Sequence, residues 1–393
     1  MDFNWPEFQN QRFDIRDATI LLTLAGSKSY GTDTPTSDTD FKGVLVTPMI
    51  EILSPFRKFE QVMWKSEEKS GRVSEVAGLP EADEEGVIYG FNKFVNLASS
   101  CNPNIIEGLY VDERHIVHMT EAGGLLRDSR DLFLSGRAAY KFGGYAMSQL
   151  KRIRTHKGWL DNPPVAPPDR ADFGLPPAKR IHHDQMGAAL RYAELNIQEL
   201  APWLLDADNQ YQEAFWEGVA NMLLLLAEDA SIIYDIDADE WIEVRDTAIY
   251  TMGSRLGFSD DFMTELRKEK QYDAAKKRWK SFQSWKKNRN PARAELEARY
   301  GYDCKHAMHL VRLLRMGKEV LTQGVVQVYR PDREELKEIR NGDWSYSKLI
   351  EWAEREKNEL HEIERSGKSV VPKEPDMDKI EEVVKSIYAL TYK

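Results

Sequence analysis

Two short apolar runs, ATILLTLA (residues 18–25) and FKGVLVTP (residues 41–48), flank the polar segment GSKSYGTDTPTSDTD, and this juxtaposition restricts the fold more than any other feature of the chain. Each run is brief, rich in Leu, Ile, Val and Thr, and stopped by Gly26 or Pro48, so both read as buried strands. Asp38 and Asp40 are separated by one residue, which on extended backbone puts both carboxylates on one face. Gly26 and Ser27 close the first strand with a turn whose backbone N–H groups can converge on an anion. Like charges held side by side favour a divalent cation, and magnesium prefers carboxylate oxygens supplemented by phosphate oxygens and water. A solvated turn rich in Asp, Ser, Thr and Gly accounts for the same residues by turn geometry alone.

At 393 residues the chain is long for one core, so two domains, or one with a large elaboration, are expected. With 41% hydrophobic and 30% charged residues it is an ordinary globular composition, and disorder is not expected over any long stretch. A formal charge of −11 excludes coating of nucleic acid through the overall field, so any such contact must be regional. Cys101 and Cys304 offer neither a disulfide framework nor a thiolate zinc site, and a reducing cytoplasm is the expected setting. A polar start and a longest apolar run of only ANMLLLLA lead us to expect no export signal and no membrane anchor.

Further along, GVIYGFNKFVNLASS begins as a strand and becomes helical, with Phe91, Phe94, Val95 and Ala98 at helical spacing. NPNIIEGLYV reads as a turn followed by a strand-bounded element. From about Leu132 the period lengthens to nearly four, with amphipathic helices expected over 140–154, 185–200 and 215–234. The Pro-rich segment 161–180 interrupts them as a surface loop. The expected class is α+β: a mixed sheet with flanking helices, then a mostly helical region.

GSKSYG followed by SDTDFKGV resembles the strand–turn–strand signature of the DNA polymerase β nucleotidyltransferase superfamily. The downstream segments YGFNKFVNLASSCNPNIIEGLYV, FGGYAMSQLKRI and RNPARAELEARYGYDCKHAMHLVRLLRMGKEVLTQG resemble its RNA-ligase-associated polynucleotide nucleotidyltransferase-like family, from about Leu21 to Ile339. The likeness is weakest over 201–270, which reads as an insertion. It implies a catalytic domain over residues 1–121 and a helical domain over 122–393 that closes the cleft. It also implies that Gly26 and Ser27 grip a triphosphate while Asp38 and Asp40 hold Mg2+ or Mn2+. A third carboxylate is required; the candidates are Asp83, Glu84 and Glu85, with spacing to Tyr89 and Lys93 favouring Glu85 as catalytic and metal-binding residue. The implied reaction moves a nucleoside monophosphate from a nucleoside triphosphate to an acceptor hydroxyl, an RNA end foremost. A protein or small-molecule acceptor is the neighbouring alternative, and a binding module without turnover is the alternative of another class.

In GYDCKHAMHLVRLLRMG, Lys305, His309 and Arg312 share one helix face opposite Leu310, Leu313 and Leu314. Such a face is ordinarily solvated; the resemblance assigns Lys305 and Arg312 to phosphate, with His309 beside them in the nucleotide site. Asp303 suits a helix N-cap. His306 and His309 form an HxxH pair, but zinc would need further ligands that the sequence does not cluster. The run RKEKQYDAAKKRWKSFQSWKKNRNPAR reverses the overall charge locally, and its aromatics suit either a core or a groove for a nucleic-acid strand. Arg289, Asn290 and Arg293 match the family pattern there as acceptor or phosphate contacts. On the earlier helix, Lys141, Tyr145, Gln149 and Arg152 are read onto one face, with Gln149 and Arg152 the candidates to reach nucleotide or acceptor. Nothing in the sequence reports the oligomeric state.

Overall fold

The structure is a computed structural model that describes residues 3, 5, 6, 8, 12–35, 37–65, 84–179, 181, 185, 187–188, 191–192, 258–289 and 291–392. Its contacts divide the chain into two compact units, Met1–Pro163 with Asn290–Lys393, and Pro164–Arg289. The expected division at residue 121 is not where the contacts part. One hydrophobic cluster runs from Ile20, Leu21 and Val44 of the sheet through Phe142 and Ile153 to Leu310, Val311 and Leu314, so sheet and C-terminal helices share a core. The expected insertion at 201–270 falls in the second unit and lies largely outside the described residues.

In the first unit β1 (Thr19–Ala25), β2 (Thr39–Leu45), β3 (Gln61–Lys65), β4 (Glu84–Gly90) and β5 (Ile116–Met119) form one sheet in the order β3-β4-β2-β1-β5. β1 runs antiparallel to β2 and β5, β4 antiparallel to β3, and β2 parallel to β4. The sheet is therefore mixed, as expected, and β1 is buried along almost its whole length, consistent with its unbroken apolar run. On one side of the sheet Phe41, Leu45, Trp64 and Ile88 cluster with Leu22 and Leu24; on the other lies the core shared with the helices.

Two long helices, Gly136–Asp161 and Cys304–Gln323, pack along each other. Gly317 permits their close approach: a Cβ there would stand 3.3 Å from the carbonyl oxygen of Ala139 and 3.4 Å from Cβ of Phe142. The helix expected over 140–154 is thus observed and is longer at both ends. NPNIIEGLYV corrects the reading as a turn and strand-bounded element. Pro103–Tyr110 is a helix, started by Asn102, whose side chain accepts the N–H of Asn104, and by Pro103 in the first turn. The stretch 185–200 is described only at a few residues, and 215–234 lies outside the described residues.

The second unit contains the helix Asp260–Asn288 and the Pro-rich loop. Arg170 of that loop forms a forked pair with the fully buried Glu269, at 2.5 and 2.9 Å, and Phe173 meets Tyr272 edge-on. Charge and ring contacts thus hold this part of the loop to the helix. Among the described residues, no helix is long and apolar enough to cross a membrane.

Candidate active site

Strand register assembles the carboxylates. Asp40 is the partner of Ala25 on β1 and of Glu85 on β4, so Asp40 and Glu85 stand side by side on neighbouring strands and point to one face. Asp38 lies two residues earlier, and its charge acts on Asp40. Burial, then the charges of Glu85 and Asp38, push the Asp40 carboxyl above the usual carboxylate range; Lys305 and Lys42 pull it back. Glu84 is directed to the opposite face by strand alternation, where it feels Lys28, and Asp83 lies outside the described residues. Glu85, the carboxylate favoured by spacing, is the one beside Asp40. Its Oε2 accepts from Lys65 Nζ at 2.5 Å, with both side chains about two-fifths exposed.

The Gly-Ser turn is built against these acids. Gly26 opens the short helix Gly26–Tyr30 with φ +63°, and a Cβ at this position would stand 1.9 Å from Oδ2 of Asp40. Only glycine serves here, both for the left-handed backbone and for the close approach of the carboxylate. Ser27 follows, half-buried, its carbonyl accepting the N–H of Thr32 at 2.9 Å. Lys28 donates to Thr39 Oγ1, which ties the turn to the start of β2. Asp40 and Glu85 side by side, with Asp38 close enough to act on Asp40 and Gly26 packed against Asp40, offer oxygen donors only, the chemistry that suits a hard divalent cation such as Mg2+.

The helix Cys304–Gln323 supplies the cations, and it divides the residues expected there. Lys305 is half-buried and within electrostatic reach of Asp40. His309 is held well below the ordinary imidazole range by burial, then by the charges of Arg312, Lys305, His306 and Arg340, so it is neutral at neutral pH. Arg312 departs from the expected phosphate contact. It is 4% exposed, its Nη1 donates to Glu107 Oε1 at 2.5 Å, and its guanidinium lies 3.8 Å above the ring of Tyr30. Tyr30 in turn donates to Oε2 of the same Glu107 at 2.5 Å. The guanidinium is engaged in the core because Glu107, itself buried, has no water to neutralise it.

Three residues escaped sequence reading. Arg340 acts on His309 and donates to the carbonyl of Thr32 at 2.8 Å, placing a further cation by the Gly-Ser turn. Lys42 continues the Asp38–Asp40 alternation along β2; burial lowers its pKa although Glu107 and Asp40 oppose this, and it donates to the carbonyl of Asn104 at 2.6 Å. Its place two residues beyond Asp40 was the available signal. Glu107 carried none, since its partner is 205 positions away.

The remaining candidates scatter. Gln149 accepts from Nδ1 of His306 at 2.7 Å, whereas Arg152 is exposed. In the second unit Phe282 is buried, with Trp279 and Trp285 half-buried at 6.0 and 5.9 Å from it, while Lys276, Lys277, Lys286 and Lys287 are exposed. The aromatics thus pack inward and the lysines form the wet face. Arg289 lies 4.6 Å above the ring of Trp285. Asn290 and the side chain of Arg293 lie outside the described residues.

Residues 7–161 match the RlaP family, described as the RNA repair pathway DNA polymerase beta family. The match takes in β1 to β5, all three carboxylates and the Gly-Ser turn, and it bears out the polymerase β-like nucleotidyltransferase resemblance carried by GSKSYG and SDTDFKGV. No curated protein matches the chain.

Proposed function

We propose, from this family match and the site geometry, that the chain is a metal-dependent nucleotidyltransferase that moves a nucleoside monophosphate from a nucleoside triphosphate to a hydroxyl on an RNA end. The observation that carries the proposal is the register pairing of Asp40 with Glu85, with Asp40 directly against Gly26 and within reach of the charge of Asp38. Asp38, Asp40 and Glu85 would hold Mg2+ or Mn2+, which when bound supplies charge neutralisation at the reacting phosphate and acidifies the attacking hydroxyl.

The chain's own residues do the rest. Gly26 and Ser27 present backbone N–H groups to the triphosphate, and Lys305 with Arg340 offset the negative charge of the β- and γ-phosphates. Glu85 stands at the edge of the acid face, partly open to solvent, and takes the proton of the attacking hydroxyl. The hydroxyl oxygen bonds to the α-phosphorus while the bond from that phosphorus to the bridging oxygen breaks, and pyrophosphate leaves with the electron pair. Neutral His309 donates or accepts a hydrogen bond beside this anion without adding a charge that would retain the product. The RNA acceptor rests on the family's description as a repair-pathway family.

One observation favours a second reading. Lys65 already pairs with Glu85, and a chain that kept this pair with nucleotide bound would hold nucleotide or nucleic acid without turning it over. Transfer of α-labelled nucleotide separates the readings: each labelled nucleoside triphosphate is offered with Mg2+ or Mn2+ to RNA, DNA and the protein itself. Label on RNA that disappears in Asp38→Ala/Asp40→Ala supports the transferase. Label on protein moves the acceptor to a side-chain hydroxyl, and metal-dependent binding with no label on any acceptor supports the binding module.

A further inference from the structure

Where the helix Gly136–Asp161 runs along the start of the helix Cys304–Gln323, three side chains converge that the proposed reaction does not use. Asp303 Oδ2 stands 3.6 Å from Nε2 of His306 and 3.8 Å from Nδ1 of His156, and the three donor atoms lie within 4.8 Å of one another. All three side chains are largely withdrawn from solvent, at 3% exposure for Asp303, 14% for His306 and 16% for His156.

Each donor is oriented by a contact made elsewhere. Asp303 spends Oδ1 as the helix cap, accepting the N–H of His306 at 3.0 Å, which turns Oδ2 towards the rings. His306 Nδ1 faces Gln149 Oε1 at 2.7 Å; an amide oxygen only accepts, so Nδ1 carries a proton and Nε2 is the nitrogen directed at Asp303 and the gap. The ring of His156 stacks on Trp159 at 5.5 Å and 22°, which fixes its plane. A histidine whose second nitrogen is bound by an oxygen acceptor is the outer-shell arrangement of metal-binding imidazoles.

The separations point the same way. At 3.6 and 3.8 Å the ring nitrogens stand at ion-pair distance from the carboxylate, beyond the span of about 2.7–3.2 Å of a direct hydrogen bond. Donors about 2.0–2.1 Å from a tetrahedral zinc ion stand roughly 3.3 Å apart, so a small inward movement of the rings completes three corners.

We infer that His156, Asp303 and His306 form a binding site for a zinc-class divalent cation, with Gln149 as the residue that orients His306. Two imidazoles and one carboxylate suit borderline ions such as Zn2+, whereas the three carboxylates around Asp40 suit Mg2+, so the chain carries two metal sites of different chemistry. The site joins the helices Gly136–Asp161 and Cys304–Gln323, one from each of the two sequence segments of the first unit, and leaves a fourth coordination position for water. It stands independently of the proposed transferase activity.

Cobalt titration tests the site directly. The full chain, stripped with a chelator and dialysed, is titrated with Co2+ and followed by its visible absorption. One Co2+ per chain with the intense bands of a four-coordinate ion, displaced by one equivalent of Zn2+, is expected. Asp303→Asn keeps the helix cap but removes the charge, and it should weaken binding at least about tenfold with an unchanged circular dichroism spectrum; His306→Ala should do the same. Asp38→Asn/Asp40→Asn should bind Co2+ as the parent does. Absence of Co2+ binding in the parent overturns the site, as does affinity unchanged by Asp303→Asn or binding lost only in the Asp38→Asn/Asp40→Asn variant. If His306→Ala does not fold, Asp303→Asn alone decides.

Discussion

The acidic cluster around Asp40 and the cluster of Tyr30, Glu107 and Arg312, which act together on Lys42 and Tyr30, obey opposite rules. Asp40 has the like charges of Glu85 and Asp38 near it, and its carboxyl is raised first by burial and then by those charges, with Lys305 and Lys42 opposing. Tyr30, Glu107 and Arg312 gather opposite charges, with each carboxylate oxygen of Glu107 accepting a short hydrogen bond and the cation stacked on the ring. The first arrangement improves when something positive arrives. The second is already complete and loses if anything leaves. Charged residues in one motif-rich region therefore divide by whether their charges are balanced by the fold itself.

The sharpest way to break the comparison is to neutralise one member of each cluster. Asp40→Asn should reduce nucleotidyl transfer on the order of 10³-fold or more, since several kcal/mol of charge stabilisation is removed at about 1.4 kcal/mol per decade. Its melting temperature should not fall, because a like charge has been taken from beside Glu85 and Asp38. A clear fall would place Asp40 among the balanced charges.

Arg312→Met should do the reverse, costing about 3–5 kcal/mol of stability by leaving Glu107 buried and unpaired. Adding Glu107→Gln should recover part of that loss in chemical denaturation; if the double variant is no more stable than Arg312→Met, the pair is not the source of the cost. Lys305→Ala removes the ammonium that opposes Asp40 and should raise the KM for nucleoside triphosphate roughly tenfold, worth about 1.4 kcal/mol, with an unchanged melting curve. Normal nucleotide affinity with lost stability would return Lys305 to a structural role.

The smallest effect concerns His309. Its folded pKa lies well below the ordinary 6.5, so below about pH 6.5 the unfolded chain binds a proton that the folded chain refuses. The corresponding stability is fully present above that pH and is lost as pH falls, with a slope of at most about 1.4 kcal/mol per pH unit. Denaturation of His309→Gln between pH 7 and pH 5 should lack that share of the slope; identical profiles would remove His309 from the cation-ringed site.

The carboxylate face was legible because its information is local. The one-residue spacing of Asp38 and Asp40 was visible in the sequence, and the carboxylate that spacing favours, Glu85, is the one that strand register sets beside Asp40. The helix at Pro103 was not legible from its short apolar run, which suits a strand equally; Asn102 and Pro103 were the signals of a helix start. Arg312 shows what local pattern cannot carry. Its shared face with Lys305 and His309 is real, yet periodicity does not say whether a face meets solvent, ligand or a buried acid. Glu107, 205 positions away, decides that. The zinc-class trio was hidden for the same reason, since HxxH pointed to His309 while the fold paired His306 with His156 and Asp303.

The same separation has a consequence for the order in which the molecule is made. The carboxylate face and Gly-Ser turn leave the ribosome long before Lys305, Arg312 and Arg340. Until those residues emerge, Glu107 has no guanidinium from Arg312 and Asp40 no opposing ammonium from Lys305. A chain interrupted before that helix carries the acids without the cations that complete the site. Arrival of Lys305, Arg312 and Arg340 is thus the moment at which these acids first meet their cationic partners.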